Sequence, residues 1–309
     1  MLLALAGSVR ADRVAPLTVL RSWTFQPLVV LGLAATVAAY LWGVVQTGRS
    51  GRSSFQGWKV TCFLVGMGVI YLALQSPIEV YSGQLFWVHM IQHLLLTMVA
   101  APLILLGAPI TLALRASSVS VRRRLLLPIV HSRVAALLSH PVVSWSLFTA
   151  ALWGSHFTNL YGEALGSHSV HVLEHALYVF TAILFWRPVV ALDPGPSRLS
   201  HPGRLLYLFL AMPQMAFLGL AIYSSDQVLY WHYIPTAAAL GTSALADQHL
   251  AGVLMWTTSM VLMLPAMAFV LFDWMNKDAR EAAGLDARLD RAASARRLGD
   301  HEVMHRADG

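Results

Sequence analysis

Residues 85–106 read LFWVHMIQHLLLTMVAAPLILL. The run contains no Asp, Glu, Lys or Arg and reaches the length of about 20 residues that a helix needs to cross a bilayer. It nevertheless carries two histidines and a glutamine, His89, Gln92 and His93, in its first half. Six further runs of comparable apolar length flank it, at 25–45, 58–75, 142–160, 170–190, 204–223 and 248–272. The expectation is an all-α polytopic membrane protein of seven transmembrane helices. Residues 1–276 form the transmembrane domain and 277–309 a charged tail. The apolar patch Met1–Gly7 has no charged residues before it and does not read as a cleaved signal peptide.

Composition agrees. The chain has 309 residues, 57% of them hydrophobic and 12% charged, and its mean hydropathy is +0.62. An ordinary soluble domain carries about 25% charge. A soluble enzyme, a disordered tail and a secreted disulfide scaffold are excluded. The one cysteine, Cys62, rules out an internal disulfide and a cysteine metal cluster.

The net charge of +6 has an address in the loops. Arg49, Arg52 and Lys59 flank the first connection, Arg115, Arg122, Arg123, Arg124 and Arg133 lie in the third, and Arg187, Arg198 and Arg204 flank the fifth. Seven more basic residues follow the last span, beginning with Lys277. The second, fourth and sixth connections have none. Cytoplasmic loops of membrane proteins collect Lys and Arg, so the tail is expected in the cytoplasm and the N-terminus outside. Arg10, Arg13 and Arg21 dissent. No nucleic-acid partner is expected.

Eight of the thirteen histidines then fall at the outer face: His89, His93, His156, His168, His171, His175, His232 and His249. At about 100° per residue, His168, His171, Glu174 and His175 share one face of the fifth span, and His89, Gln92 and His93 repeat the last three positions on the third. HMIQH and HVLEH are thus two copies of His-x-x-(Gln/Glu)-His. Imidazoles four residues apart on a helix can bind one metal ion, and two such helices can supply four. Singly, His156, His232 and His249 read as amphipathic side chains at the headgroup level. The paired histidines and Glu174 do not, because ionisable groups inside a span are costly and face the bundle or a cavity. Asp247, in the first turn of the last span, is either a helix cap or a ligand. The thioether of Met255, two turns below it, would suit copper(I), although methionine also fills gaps between helices.

These motifs together resemble the multi-span CtaG-type cytochrome c oxidase assembly factors associated with caa-type oxidases. The resemblance rests on HMIQHLLLTMVAAPLILLGAP at 89–109, the stretch Trp153–His156, HVLEHALYVFTAILFWRPV at 171–189, RLLYLFLAMPQMAFLGLAI at 204–222 and DQHLAGVLMW at 247–256. It covers residues 85–275; the first two spans match only in being apolar. It implies a role in assembling terminal oxidase in a prokaryotic plasma membrane, with oxidase subunits and membrane lipid as partners and copper as the metal delivered. His89, His93, His171 and His175 are the expected metal ligands. Gln92 and Glu174 would orient the imidazoles, and His156 and Asp247 would complete or gate the site. His168, His249 and Met255 are further candidates. Three other readings stay open. Facing histidines could ligate haem, HVLEH matches a zinc-protease pattern with Glu174 as base, and the histidines could serve a metal-free assembly scaffold.

Overall fold

In a computed structural model the chain is 83% helical, and the described residues contain no strand. The structure describes residues 21–49, 54–158, 162, 166–196 and 198–307, without the side chains of 168, 290 and 292–307. Met1–Gly7, Arg10, Arg13, Arg52, and the side chains of His168 and of the tail from 292 onward therefore lie outside the described residues.

The helices are α1 (Pro27–Arg49), α2 (Gly57–Gln75), α3 (Pro77–Ser82), α4 (Phe86–Leu94), α5 (Ala101–Leu106), α6 (Pro109–Ala116), α7 (Pro141–Phe157), α8 (His168–Val190), α9 (His201–Tyr223), α10 (Tyr233–Ala239) and α11 (Ala244–Ala307). In hydrocarbon every backbone N–H and C=O must find an internal partner, which a helix provides. Among the described residues, six stretches are long and apolar enough to cross a membrane: Pro27–Arg49, Gly57–Gln75, Phe86–Ala116, Ser169–Val190, His201–Tyr223 and Ala244–Leu289. The remaining expected span corresponds to α7, whose 17 residues rise about 26 Å, slightly less than a hydrocarbon core of about 30 Å. The last helix does not stop at 272 as the apolar run does. It continues as an exposed charged rod, with Lys277 and Glu281 paired one turn apart at 3.7 Å.

The stretch 86–106 is not a uniform α-helix. Between α4 and α5, Leu95–Ala100 form a π-turn, in which Ala101 N–H donates to Leu96 O, five residues back. The cause is visible in the sequence. Pro102 has no N–H to offer the preceding turn, and the wider turn hands that deficit to Thr97 O. Trp186 of α8 fills it, its indole N–H donating to Thr97 O at 2.9 Å. A single missing donor thus ties α4 to α8 just below the histidines. The helix then breaks at Gly107 and Ala108, where Ala108 takes a left-handed φ of 46°. A Cβ on Gly107 would stand 2.6 Å from Phe63 Cβ, so only glycine lets α2 pass this close.

Two apolar clusters meet along α4 and the π-turn. One joins Tyr40, Phe63, Ile70, Leu96 and Leu112. The larger joins Phe86, Met90, Tyr178, Met215, Leu218 and Met255. At the crossing of α9 and α11, Gly219 and Gly252 bring backbones together; a Cβ on Gly252 would lie 2.7 Å from Gly219 O. Small residues at such crossings are how helices pack in lipid, where burial of apolar surface gives no drive. Outward, Phe25, Leu28, Phe209 and Phe269 are exposed, as a lipid-facing surface requires.

The bundle has two chemically distinct ends. The histidine motifs occupy α4 and the first turns of α8. Arg187 occupies the last turn of α8, and at that same end Asp193 accepts from Ile110 N–H, Thr111 N–H and the Thr111 hydroxyl. There too, Asp273 faces His201 at 3.0 Å and Arg204 at 3.8 Å.

Candidate metal-binding site

The two histidine motifs come together. Within α4 the rings of His89 and His93 lie 4.1 Å apart between centroids, and within α8 those of His171 and His175 lie 4.2 Å apart. Across the helices, His89 and His171 are 5.6 Å apart, His93 and His175 5.6 Å, and His89 and His175 6.5 Å. His89, His93 and His175 are buried and His171 is partly so. The i, i+4 spacing set the first two distances; the Trp186 tie and the packing of Tyr178 on His93, centroids 4.2 Å apart, hold α4 and α8 in register for the rest.

Among the described residues, two three-residue groups have ligand atoms all within 4.8 Å of one another: His89, His171 and Glu174, and Glu79, His171 and His175. His171 belongs to both. His93 lies beside them through its ring contacts with His89 and His175.

Glu79 is the residue that sequence reasoning missed. It sits on α3, in the short second connection, and reaches the site because Ser76 and Pro77 turn the chain sharply after α2. Ser76 Oγ accepts from Ile78 N–H at the start of α3. Gln26 donates to one Glu79 oxygen at 3.0 Å and Gln92 to the other, and His171 Nδ1 stands 3.9 Å from the first. Gln92 also donates to Ala73 O at 2.8 Å. Gln92 thus braces the carboxylate and the end of α2 and contacts no imidazole through these bonds. A signal was present: Glu79 lies in a connection with no basic residue, on the histidine side of the chain.

Several buried donors and acceptors here have no hydrogen-bond partner among the described residues. They are both ring nitrogens of His93, His175 Nε2 and both oxygens of Glu174, whose side chain belongs to a residue only 1% exposed. Buried polar groups are normally satisfied, and leaving one unmade costs about 1–3 kcal/mol. Imidazole nitrogens and carboxylate oxygens gathered at this separation are the donor set that a borderline or hard cation accepts. The residues therefore fit a bound metal ion. A groove of about 230 Å³ opens beside them, lined by Gln26, Leu74, Glu79, Val172, His175 and Ala176 among others.

The other candidates go elsewhere. Asp247 caps a helix, but not its own: its carboxylate accepts from Phe86 N–H at 2.8 Å and Trp87 N–H at 3.0 Å. The first turn of α4 has unpaired donors, and a carboxylate there meets both the N–H groups and the helix dipole. His249 donates to Ser225 O at 3.2 Å and stacks near Tyr223, and His232 donates to Gly83 O at 3.2 Å. Both tie connections at this end and neither joins the cluster. Met255 is buried in the larger apolar cluster. His156 is buried at the end of α7. Its Nδ1 donates to Leu152 O at 2.7 Å, and its Nε2 faces Met90 Sδ at 3.5 Å. Its own carbonyl accepts from the Tyr230 hydroxyl at 3.3 Å. Burial raises the Tyr230 hydroxyl above the ordinary tyrosine range, so it stays a protonated donor.

No solved structure matches the chain. Among curated proteins, an uncharacterized protein of Mycobacterium bovis and one of Mycobacterium tuberculosis are each 32% identical over 281 residues, 88% of this chain and 42% of theirs. An uncharacterized protein of Mycobacterium leprae is 28% identical over 295 residues, 92% of this chain and 44% of its own. The chain thus spans less than half the length of these relatives. The family described as cytochrome c oxidase caa3 assembly factor (Caa3_CtaG) matches residues 38–277. That match begins within α1, earlier than the motifs of spans three to seven suggest, and so takes in α2 and α3, which carry the Ala73 carbonyl and Glu79. With the match running from α1 past residue 275, the chain belongs to the caa3 cytochrome c oxidase assembly factor family.

Proposed function

We propose that this protein binds a metal ion, copper foremost, at the cluster of Glu79, His89, His93, His171, Glu174 and His175, and hands it to a cytochrome c oxidase subunit during assembly. The ion is cargo. The protein would span a prokaryotic plasma membrane seven times, with α7 as the fourth span, the N-terminus outside and the tail in the cytoplasm. That orientation places the cluster on the side where the chain has almost no positive charge to oppose a cation.

One observation carries the reading. Four imidazoles and two carboxylates converge at one end of the bundle, and buried atoms of His93, Glu174 and His175 lack hydrogen-bond partners among the described residues. A cation supplies those partners. A groove beside His175 offers a way in and out that a purely structural cluster has no need of. The His89 and His93 rings lie 5.6–6.5 Å between centroids from the facing His171 and His175 rings in three cross-helix pairs, which favours a small ion over a macrocycle slotted between them.

The test is metal analysis of the detergent-purified chain. Wild type is expected to hold near-stoichiometric metal. His171→Ala, which removes the member shared by both groups, is expected to lose it, and Glu79→Gln to weaken it. Equal metal content in wild type and His171→Ala, with both proteins folded by circular dichroism, overturns the proposal. A Soret band in the purified protein would replace the ion by haem.

A further inference from the structure

His156 and Met90 face each other across α7 and α4 in a way that the cluster above does not use. His156 Nδ1 lies 2.7 Å from the carbonyl oxygen of Leu152. Two acceptors would repel at that distance, so the proton of the neutral ring sits on Nδ1. That leaves the Nε2 lone pair directed at Met90 Sδ, 3.5 Å away, an atom that also offers only lone pairs. First-row ions sit about 2.0 Å from an imidazole nitrogen and about 2.3 Å from sulfur, which sets N and S about 3.5 Å apart at a tetrahedral angle. The observed separation has room for one ion held by both atoms.

A third donor lies on the same helix as Met90. His93 follows Met90 by three residues, and at about 100° per residue it lies between His89 and Met90 around α4. Both its ring nitrogens are buried without a hydrogen-bond partner among the described residues. Tyr178 contacts both histidines: its ring packs tilted against His93 with centroids 4.2 Å apart, and its hydroxyl lies 3.4 Å from His156 Nδ1 and also bonds the Ser155 hydroxyl.

We infer that His156, Met90 and His93 form a second metal site that is selective for copper(I). It rests on the proposed metal-handling function and deepens it. A thioether with imidazoles selects the soft monovalent ion, whereas the carboxylate-containing group of Glu79, His171 and His175 suits a harder divalent ion. The soft site is fully buried behind His93. Glu79 and His175 line the groove. The two sites thus differ in both access and chemistry, with His93 standing between them.

The experiment uses the full chain purified in detergent. Copper(I), kept reduced by ascorbate, is titrated against bicinchoninate as a competing chelator, and zinc(II) is titrated separately. Wild type is expected to hold one copper(I) ion per chain at this site, with a sulfur scatterer at about 2.3 Å in the copper K-edge EXAFS. Met90→Leu keeps the side-chain volume and is expected to lose that copper(I) ion with its sulfur shell and to keep its zinc(II). Selenomethionine-labelled wild type, with the fold untouched, is expected to show a selenium shell in place of sulfur. An EXAFS spectrum without sulfur or selenium, or copper(I) binding unchanged in Met90→Leu, overturns the second site. If zinc(II) or copper is then still lost in His171→Ala, the first reading stands alone. A wild type that binds neither ion removes both.

Discussion

Replacing Asp247 by alanine removes one carboxylate and leaves two buried backbone donors without it. Asp247 is 2% exposed, and its oxygens accept from Phe86 N–H at 2.8 Å and Trp87 N–H at 3.0 Å. A hydrogen bond to a charged group contributes about 1.5–3 kcal/mol, and truncating a helix cap costs about 0.5–2 kcal/mol. Two such bonds, taken at the lower value because water can reach the end of a helix, give about 3 kcal/mol. That is a ~150-fold change in the unfolding equilibrium, out of a total stability of the order of 5–15 kcal/mol. Asp247→Asn keeps one acceptor but turns an amide N–H toward the other donor, so it should lose about half as much. The assay is denaturant unfolding of the detergent-solubilised chain followed by circular dichroism, with the exposed Asp226→Ala as control. The order expected is Asp226→Ala near wild type, then Asp247→Asn, then Asp247→Ala. An Asp247→Ala variant within about 0.5 kcal/mol of wild type refutes the inter-helix cap and reopens Asp247 as a ligand.

Two further outcomes follow from the packing. Gly252→Leu forces a Cβ to within 2.7 Å of Gly219 O and 2.8 Å of Tyr223 N, both backbone atoms that cannot rotate away. It should separate α9 from α11 and leave little protease-resistant protein, whereas Gly284→Leu, on the exposed tail helix with open space around it, should be tolerated. Trp186→Phe keeps the aromatic ring but strands the Thr97 carbonyl in the π-turn; a loss of about 1–3 kcal/mol is expected in the same unfolding assay. No measurable loss would mean that the π-turn finds its partner elsewhere.

How much of this was legible beforehand depends on distance along the chain. The apolar runs mark the helices to within a few residues at most ends, because each span must satisfy its own backbone and does so locally. The histidine pairs are local as well: the spacing from His89 to His93 and from His171 to His175 already dictates one face. The π-turn was half legible, since Pro102 announces a missing donor, while the acceptor it strands is filled from Trp186 on another helix. Glu79 was not legible as a site residue. It lies outside every span, on α3, and only the sharp turn at Ser76–Pro77 and the Gln26 and Gln92 bonds bring it to the imidazoles.

The sequence by itself determined that this is a helical membrane protein, that most of its positive charge lies in connections away from the paired histidines, and that two spans carry matching histidine faces. Those properties depend on composition and on helical periodicity, which act over one or two turns. Only the tertiary structure decided which faces meet. It directed Asp247 to a neighbouring helix and His249 and His232 to loop carbonyls. It joined Glu79 to His171 and His175, and set His156 against Met90. Contacts between residues 66 and 161 positions apart follow from how spans pack around Gly107, Gly219 and Gly252, and no local spacing encodes them.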